Sequence, residues 1–208
     1  MNDQPLPSLR ERKKADTWAA IHKAAATLAL ERGVEHTTVE AIAEAAGVSP
    51  RTFFNYFPTK EDAVLGMRAP SLDQALLEGF SAEHDLPGQI SRLLLAVARS
   101  AYDGGDPERR RELLRRHPHL GQRRRELTMQ AEDLVRQAVT RLLARAPDRA
   151  GGTGEHGGDD VARMLVLVAG VPLRFTITSA DYDPAGGLAP EDLDAALTLL
   201  HDLLRKLP

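Results

Sequence analysis

The stretch "TTVEAIAEAAGVSPRTFFNYFPTKEDAV", residues 37–64, decides the fold of this 208-residue chain. Three helix-start signals occur in it, each a Ser or Thr in front of a helix-forming segment: Thr37-x-x-Glu40 with Thr38 as the competing cap, Ser49 before Pro50, and Thr59-x-x-Asp62. Gly47 and Pro58 separate the segments that these signals open. The pattern therefore predicts three short helices joined by tight turns.

A longer helix is predicted in front of this stretch. Residues 9–31 contain no Gly or Pro, and Gly33 marks the stop. Apolar residues recur there at three- and four-residue steps: Trp18, Ile21, Ala25 and Leu28. One long helix followed by two short ones across a Gly-containing turn is a helix-turn-helix plan, in which the last helix enters the major groove of DNA.

The helix predicted from Pro50 carries an aromatic cluster, although the chain is only 4% aromatic. Helical periodicity places Val48, Phe53 and Phe57 on one side, where we expect them to pack against the preceding helices. Phe53 and Phe57 are more often core than interface residues on such a short helix. The opposite side carries the polar residues of this helix: Arg51, Thr52, Asn55 and Tyr56.

Residues 12–66 resemble the DNA-binding segment of the TetR-type family of bacterial transcriptional repressors, because helix, turn, aromatic cluster and Pro-Thr-Lys cap occur at the family's spacing. The resemblance implies an all-α fold with about nine helices. Residues 1–66 would form an N-terminal arm and a three-helix DNA-binding domain, and residues 67–208 a helical effector-binding and dimerisation domain. It implies a DNA-contacting set: Thr38, Ser49, Pro50, Arg51, Thr52, Phe54, Asn55, Tyr56 and Lys60.

The resemblance also divides that set by role. Arg51, with its neighbours Pro50 and Phe54, would face base edges, since arginine reads guanine with two hydrogen bonds. The remaining hydroxyl and ammonium groups would bind phosphates: Thr38, Thr52, Tyr56 and Lys60. Arg51 could instead be a solvated surface arginine. The basic run "RERKK", residues 10–14, is either a solvated helix start or a further contact to phosphates or the minor groove.

Charge and composition restrict the classes of function. Residues 1–60 carry eight Lys/Arg against seven Asp/Glu in a chain of net charge −3, so any DNA contact must be local. The longest apolar run, residues 164–173, is interrupted by Gly170 and Pro172, so we expect a cytoplasmic protein without a membrane partner. The absence of cysteine excludes disulfides and thiolate chemistry.

No catalytic motif or nucleotide-binding glycine loop is present, so we expect neither an enzyme nor a cofactor. His117-Pro118-His119 resembles a metal pair only superficially, because proline disrupts the spacing that helical histidine ligands use, and no metal site is predicted. The arginine-rich run from Arg109 to Arg125 is typical of a solvated helix face, and the alternative is that it binds an anionic group of a ligand.

The last two predicted helices carry apolar stripes larger than one neighbour requires. By the resemblance, this pair would pack against its two-fold mate in a homodimer, through the following residues: Val161, Leu165, Pro172, Phe175, Leu193, Leu197, Leu200 and Leu204. Gly170 and Pro172 are expected to kink or break the first of these two helices.

The resemblance further implies a cavity for a small-molecule effector among the middle helices. Candidate lining residues are Leu94, Val97, Leu113, Met129, Leu134, Met164 and Val168, although such residues are more often core. The segment "RRRELLRRHPHL", residues 109–120, looks most like the branch whose ligands are acyl-CoA-like or otherwise hydrophobic.

Two functions remain open. One is a dimeric repressor that an effector releases from a palindromic operator. The other is a helical ligand-binding or protein-interaction protein that no longer binds DNA, which the acidic residues Glu35, Glu40 and Glu44 near the expected DNA face favour.

Overall fold

The computed structural model describes residues 8–78, 80, 85–102, 106–145, 156–180, 182 and 188–206. These residues form ten helices: α1 (Leu9–Arg32), α2 (Val39–Ala45), α3 (Pro50–Tyr56), α4 (Lys60–Leu65), α5 (Gln74–Glu78), α6 (Leu86–Ser100), α7 (Pro107–Arg116), α8 (Leu120–Arg145), α9 (Gly158–Ile177) and α10 (Pro190–Lys206). The only β-type pairing recorded in those ranges is one isolated bridge, between Met67 and Tyr102. The all-α prediction is confirmed, with ten helices where about nine were expected. The predicted N-terminal arm before residue 8 lies outside the described residues.

The helices group into two compact units. The first unit contains the chain up to Arg68 and also Tyr102–Arg123, and therefore holds α1 to α4, α7 and the first four residues of α8. The second unit contains Ala69–Ala101 and the chain from Arg124 onward. The domain boundary between residues 66 and 67 stays a prediction. That prediction did not anticipate that α7 belongs to the first unit.

Both ends of α1 are fixed by capping. The Ser8 hydroxyl accepts a hydrogen bond from the Glu11 N–H, and the Glu11 carboxylate accepts one from the Ser8 N–H at 2.7 Å, which completes a capping box. Gly33 ends the helix with a φ of 84°, a backbone conformation that glycine adopts without steric cost. Trp18, Ile21 and their two predicted companions on this helix are all buried, as expected.

Residue Thr38, rather than Thr37, caps α2. Its hydroxyl oxygen accepts a hydrogen bond from the Ala41 N–H at 3.2 Å. The Thr37 hydroxyl instead donates to the Gly33 carbonyl at 2.8 Å, and Thr37 is buried in the turn that follows α1. The capping box expected between Thr37 and Glu40 is therefore wrong, and the competing cap is correct.

The caps of α3 and α4 confirm the predictions from sequence. The Ser49 hydroxyl accepts a hydrogen bond from the Thr52 N–H at 3.0 Å, with Pro50 in the first helical position. The Thr59 hydroxyl accepts one from the Asp62 N–H at 3.1 Å and donates one to the Asp62 carboxylate at 2.8 Å. Hydrogen bonds between residues three positions apart thus determine where these two short helices begin.

Aromatic packing forms the core of the first unit. The rings of Trp18 and Phe57 lie 5.2 Å apart, and those of Phe53 and Phe57 lie 6.0 Å apart. Ile21 and Ile42 are fully buried beside them. The inward face of α3 is therefore held on α1 and α2 by large apolar side chains.

In the second unit, α6, α8 and α9 share one apolar core. Leu193 and Leu197 of α10 pack in a smaller cluster with Leu95 of α6. Helix α9 continues through Gly170 and Pro172 as far as Ile177, so these residues do not break it. Within the described residues, no helix is long and apolar enough to cross a membrane.

Candidate nucleic-acid interface

Helix α3 has two chemically different faces. Phe53 and Phe57 are 0% exposed, whereas Phe54 is 57% exposed and packs edge-on against Phe53 with ring centroids 5.3 Å apart. Arg51 and Asn55 are exposed on the same short helix. The buried face anchors α3, which leaves the other face available for a partner.

Hydroxyl groups surround this exposed face. The Ser49 and Thr52 hydroxyl oxygens lie 2.9 Å apart and share a hydrogen bond. Tyr56 is half-buried at the end of the helix. Thr38 is exposed at the start of α2, and because its oxygen accepts from a backbone N–H, its own O–H remains a donor. Arg51, Thr38 and Tyr56 keep their predicted DNA-contacting roles as predictions.

Lys60 has a structural function that sequence reasoning missed. Its ammonium group donates to the Val34 carbonyl at 2.9 Å and to the Thr37 carbonyl at 3.1 Å. Both carbonyls belong to the turn between α1 and α2, so Lys60 ties the start of α4 to that turn. An ammonium group has three donors, so the predicted phosphate contact by Lys60 remains chemically open.

Two arginines that follow in the sequence hold α4 in place. Arg123 forms an ion pair with Asp62, whose side chain is 1% exposed. Arg110 donates from Nε to the Leu65 carbonyl at 2.9 Å, at the end of α4. The prediction of a solvated face for Arg109–Arg125 is wrong for these two residues. Both partners lie more than forty positions earlier in the chain, and no local periodicity signals such contacts.

A groove runs between the first half of α1 and α3. Its volume is about 650 Å³, and it is lined by Leu9, Arg10, Lys13, Lys14, Thr17, Thr52, Asn55 and Tyr56. The basic run of α1 therefore lies beside three residues of the predicted DNA-contacting set.

A comparison with protein families assigns this part of the chain. Residues 21–65 match the model of the family described as "Bacterial regulatory proteins, tetR family". Over this segment, which holds the helix-turn-helix, the chain is similar to the TetR family. A curated relative, the HTH-type transcriptional regulator TcmR of Streptomyces glaucescens, is 46% identical over 71 residues. That match covers 34% of this chain and spans 31% of the relative, about a third of its length.

Solved structures resemble this chain more loosely over a longer range. The fatty acid degradation regulator FadR from Bacillus halodurans is 17% identical, with 88% of this chain and 94% of that chain covered and a TM-score of 0.42. FadR from Thermus thermophilus, solved in complex with lauroyl-CoA, is 27% identical, with 88% and 93% covered and a TM-score of 0.31. Both TM-scores lie below 0.5, and the likeness assigns no ligand to the second unit.

The predicted effector residues are divided between the two units. Leu94 and Val97 lie in the core of the second unit, whereas Leu113 is buried in the first unit. Met164 is 62% exposed on α9, and Val168 is also exposed. The buried face of α9 is the one that carries Ala162, Val166 and Ala169. The effector-lining role of Met164 and Val168 stays a prediction.

The last two members of that set lie at a separate groove of the second unit. Met129 and Leu134 line it together with Pro70, Gln130 and Asp133, and its volume is about 430 Å³. Met129 is 68% exposed, and Leu134 packs partly against the core. The lining of this groove combines apolar side chains with the polar groups of Gln130 and Asp133.

The predicted dimer residues divide by burial. Leu193 and Leu197 are 1% and 2% exposed and, like Pro172, they are buried within their own copy. The predicted dimer interface stays a prediction, and burial within one copy leaves these three little surface to offer a partner. Val161, Leu165 and Leu200 are half-buried, while Phe175 and Leu204 are each 55% exposed. The exposed apolar face consists of other residues beside these two: Met164, Leu167, Val171, Ile177, Leu199 and Leu203.

The acidic and histidine residues do not assemble a metal site in the ranges that the structure covers, where no group of three or more candidate ligands occurs. The rings of His117 and His119 lie 5.9 Å apart, and His119 Nε2 is 3.6 Å from a Glu35 carboxylate oxygen. This pair is an ordinary surface contact.

Proposed function

We propose that this protein is a TetR-type DNA-binding transcriptional regulator that acts in the cytoplasm as a homodimer on a palindromic operator. The observation that carries the proposal is the division of α3. Phe53 and Phe57 are fully buried, while Arg51, Phe54 and Asn55 are exposed on a helix that is capped and fixed against α1 and α2. A recognition helix needs this rigidity because base contacts require a defined angle in the groove.

The exposed groups suit two kinds of DNA contact. Arg51 supplies a guanidinium that can donate twice to guanine, and the Phe54 ring offers an apolar surface for a thymine methyl group. Around them stand hydroxyl and ammonium groups that would position the protein on phosphates: Thr38, Thr52, Tyr56 and Lys60.

Dimerisation is supported by the exposed apolar residues of α9 and α10, which include Leu167, Phe175 and Leu203. An exposed set of this size marks an interaction surface in a protein of this kind. A two-fold dimer would present two copies of α3 to half-sites about 34–36 Å apart on one face of the duplex.

We further propose that the regulator is a repressor released by a small hydrophobic or acyl-CoA-like effector. The groove at Met129 and Leu134 supports a hydrophobic ligand, because three of its lining residues, Pro70 among them, are apolar and only Gln130 and Asp133 are polar. To lower operator occupancy tenfold, the effector must favour the released conformation by about 1.4 kcal/mol.

A second candidate is a helical ligand-binding or protein-interaction protein that has lost DNA binding. Glu35, Glu40 and Glu44 are all exposed in the unit that contains α3, and their charge would oppose phosphates. Binding without catalysis is common to both candidates.

Footprinting on the DNA upstream of the protein's own gene separates the two candidates. The regulator should protect a palindrome at moderate salt, and Arg51→Ala should weaken the protection strongly. Arg99→Ala is the matched control, because Arg99 is an exposed arginine on α6 of the other unit. Absence of any protected palindrome would favour the second candidate, and equal loss with both variants would remove Arg51 from the proposed base contacts.

A further inference from the structure

The groove between α1 and α3 has a cationic wall and a hydrogen-bonding wall. Arg10, Lys13 and Lys14 line it from α1, and Thr52, Asn55 and Tyr56 line it from α3. Leu9 and Thr17 complete the lining, and Thr17 donates its hydroxyl hydrogen to the Lys13 carbonyl at 2.8 Å. Thr17 is therefore part of the wall rather than a donor to a ligand.

The cations of the groove form no ion pair with any other described residue. Arg10, Lys13 and Lys14 are exposed, and none has a carboxylate at ion-pair distance among the residues that the structure describes. Arginines elsewhere in the protein behave differently, as three pairs illustrate: Arg92 with Asp194, Arg115 with Glu112, and Arg136 with Asp133. The groove thus concentrates three positive charges that no carboxylate in the described ranges neutralises.

Carboxylates near the groove do not offset these charges directly. Glu11 is held by the capping box, and the hydrogen bond from the Ser8 N–H lowers the pKa of its carboxyl. It remains ionised, but it is engaged at the helix start. Asp16 is exposed on α1 and is not among the lining residues.

We propose that this groove binds the sugar-phosphate backbone of the DNA duplex whose bases α3 contacts. The inference rests on the proposed function and extends the DNA-binding surface from α3 to the first half of α1. Arg10, Lys13 and Lys14 would bind phosphate oxygens from one wall, while Asn55 and Tyr56 donate to the same backbone from the other.

The lining favours a nucleic-acid backbone over a lipid surface. Leu9 is the one large aliphatic side chain in the lining, whereas an interfacial membrane helix carries a broad apolar face. The groove also shares Thr52, Asn55 and Tyr56 with the predicted DNA-contacting set, so a duplex on α3 would bring its own phosphates to the groove.

Contacts of this kind have a measurable signature. Phosphate contacts position a protein without reading sequence, and each neutralised phosphate adds about 0.9 to the slope of log K against log salt concentration. Three contacts therefore predict a change in slope of about 2.7 when they are removed. Affinity for operator and for unrelated DNA should fall by similar factors.

The test uses the full-length protein and two duplexes of equal length, one with the protected operator and one scrambled. The groove variant carries Arg10→Gln, Lys13→Gln and Lys14→Gln. The control variant carries Lys23→Gln, Arg99→Gln and Arg145→Gln, which removes three charges from exposed residues outside the groove. A third variant, Lys13→Arg with Lys14→Arg, keeps the charge, and thermal unfolding confirms that all three are folded.

The groove variant should lower the salt slope by about 2.7 on both duplexes, while the control and the charge-retaining variant leave it nearly unchanged. An unchanged slope, an equal change with the control, or a loss confined to the operator would overturn the groove proposal. If the native protein shows no operator preference, the proposed function fails. The salt slope measured on the scrambled duplex would then test the groove proposal by itself: a decrease of about 2.7 in the groove variant supports it, and an unchanged slope overturns it.

Discussion

Arg123 and Asp62 form a two-point ion pair, with Nε 2.8 Å from Oδ1 and Nη2 3.0 Å from Oδ2. The pair joins the start of α8 to α4, and Thr59 donates a further hydrogen bond to the same carboxylate. With Asp62 1% exposed and the Arg123 side chain 21% exposed, the carboxylate depends on its protein partners for solvation.

Arg123→Ala should therefore destabilise the protein by about 3 kcal/mol, because it leaves a buried carboxylate without its counter-charge. Urea unfolding of the full chain measures the change. The neighbouring Arg124→Ala is the control, since Arg124 is exposed, and it should change stability by less than about 0.5 kcal/mol. Equal effects of the two variants would show that the ion pair does not hold α4.

Gly66 should not tolerate a side chain. It ends α4 with a φ of 63°, and a Cβ added there would lie 2.7 Å from Cε1 of His22. Gly66→Ala should cost about 2 kcal/mol or more, from left-handed backbone strain and from the clash with the ring. Gly170→Ala is the matched comparison, because a Cβ there meets nothing within 4 Å in α9, and it should stabilise by about 0.5–1 kcal/mol. If Gly66→Ala and Gly170→Ala changed the free energy of unfolding in the same direction, the steric explanation for Gly66 would be contradicted.

His22 should make stability depend on pH. Burial lowers the pKa of His22, and its ring Nδ1 lies 2.8 Å from the Ala63 carbonyl oxygen. The unfolded chain therefore binds the proton more readily than the folded protein. Stability contributed by neutral His22 is present above the unfolded pKa of about 6.5 and is lost as pH falls from there toward the folded pKa.

In His22→Gln, the part of this acid sensitivity that His22 supplies should disappear, as followed by unfolding free energies between about pH 7 and 5. His36→Gln, at an exposed histidine, should keep the native pH profile. An unchanged profile in His22→Gln would assign the sensitivity to other groups.

Two adjacent phenylalanines should separate folding from binding. Phe53 is 0% exposed, so Phe53→Ala should destabilise by about 3–5 kcal/mol. Phe54 is 57% exposed, so Phe54→Ala should leave stability within about 1 kcal/mol while it weakens operator binding. Thermal unfolding and a DNA-binding titration on the same samples make the comparison. Loss of binding without loss of stability in Phe53→Ala would contradict the two faces assigned to α3.

Features that depend on a few neighbouring residues could be predicted from sequence. The caps at Ser49 and Thr59 follow from short-range hydrogen bonds, and the two faces of α3 follow from helical periodicity. The same reasoning could not choose between Thr37 and Thr38. Thr37 is buried and its hydroxyl donates to the Gly33 carbonyl, which leaves Thr38 as the cap. That hydrogen bond depends on the path of the turn after α1.

Contacts between distant segments could not be predicted in this way. The partners of Arg110 and Arg123 lie on α4, and their residue types resemble those of the solvated arginines around them. The leucines of α10 pose a related problem, because they occur on more than one face. Burial assigns Leu193 and Leu197 to the core and exposes Leu203 and Leu204, a division that periodicity alone leaves ambiguous.

The central proposal is that α3 reads base pairs through Arg51, and base-by-base substitution of the operator tests it most directly. Titrations compare the native protein with Arg51→Ala on every single-base change. If Arg51 contacts guanine, the variant should lose about 1–3 kcal/mol of discrimination at one position in each half-site and keep the native preferences elsewhere. Identical base preferences in the two proteins would contradict the assignment of α3 as a recognition helix that uses Arg51.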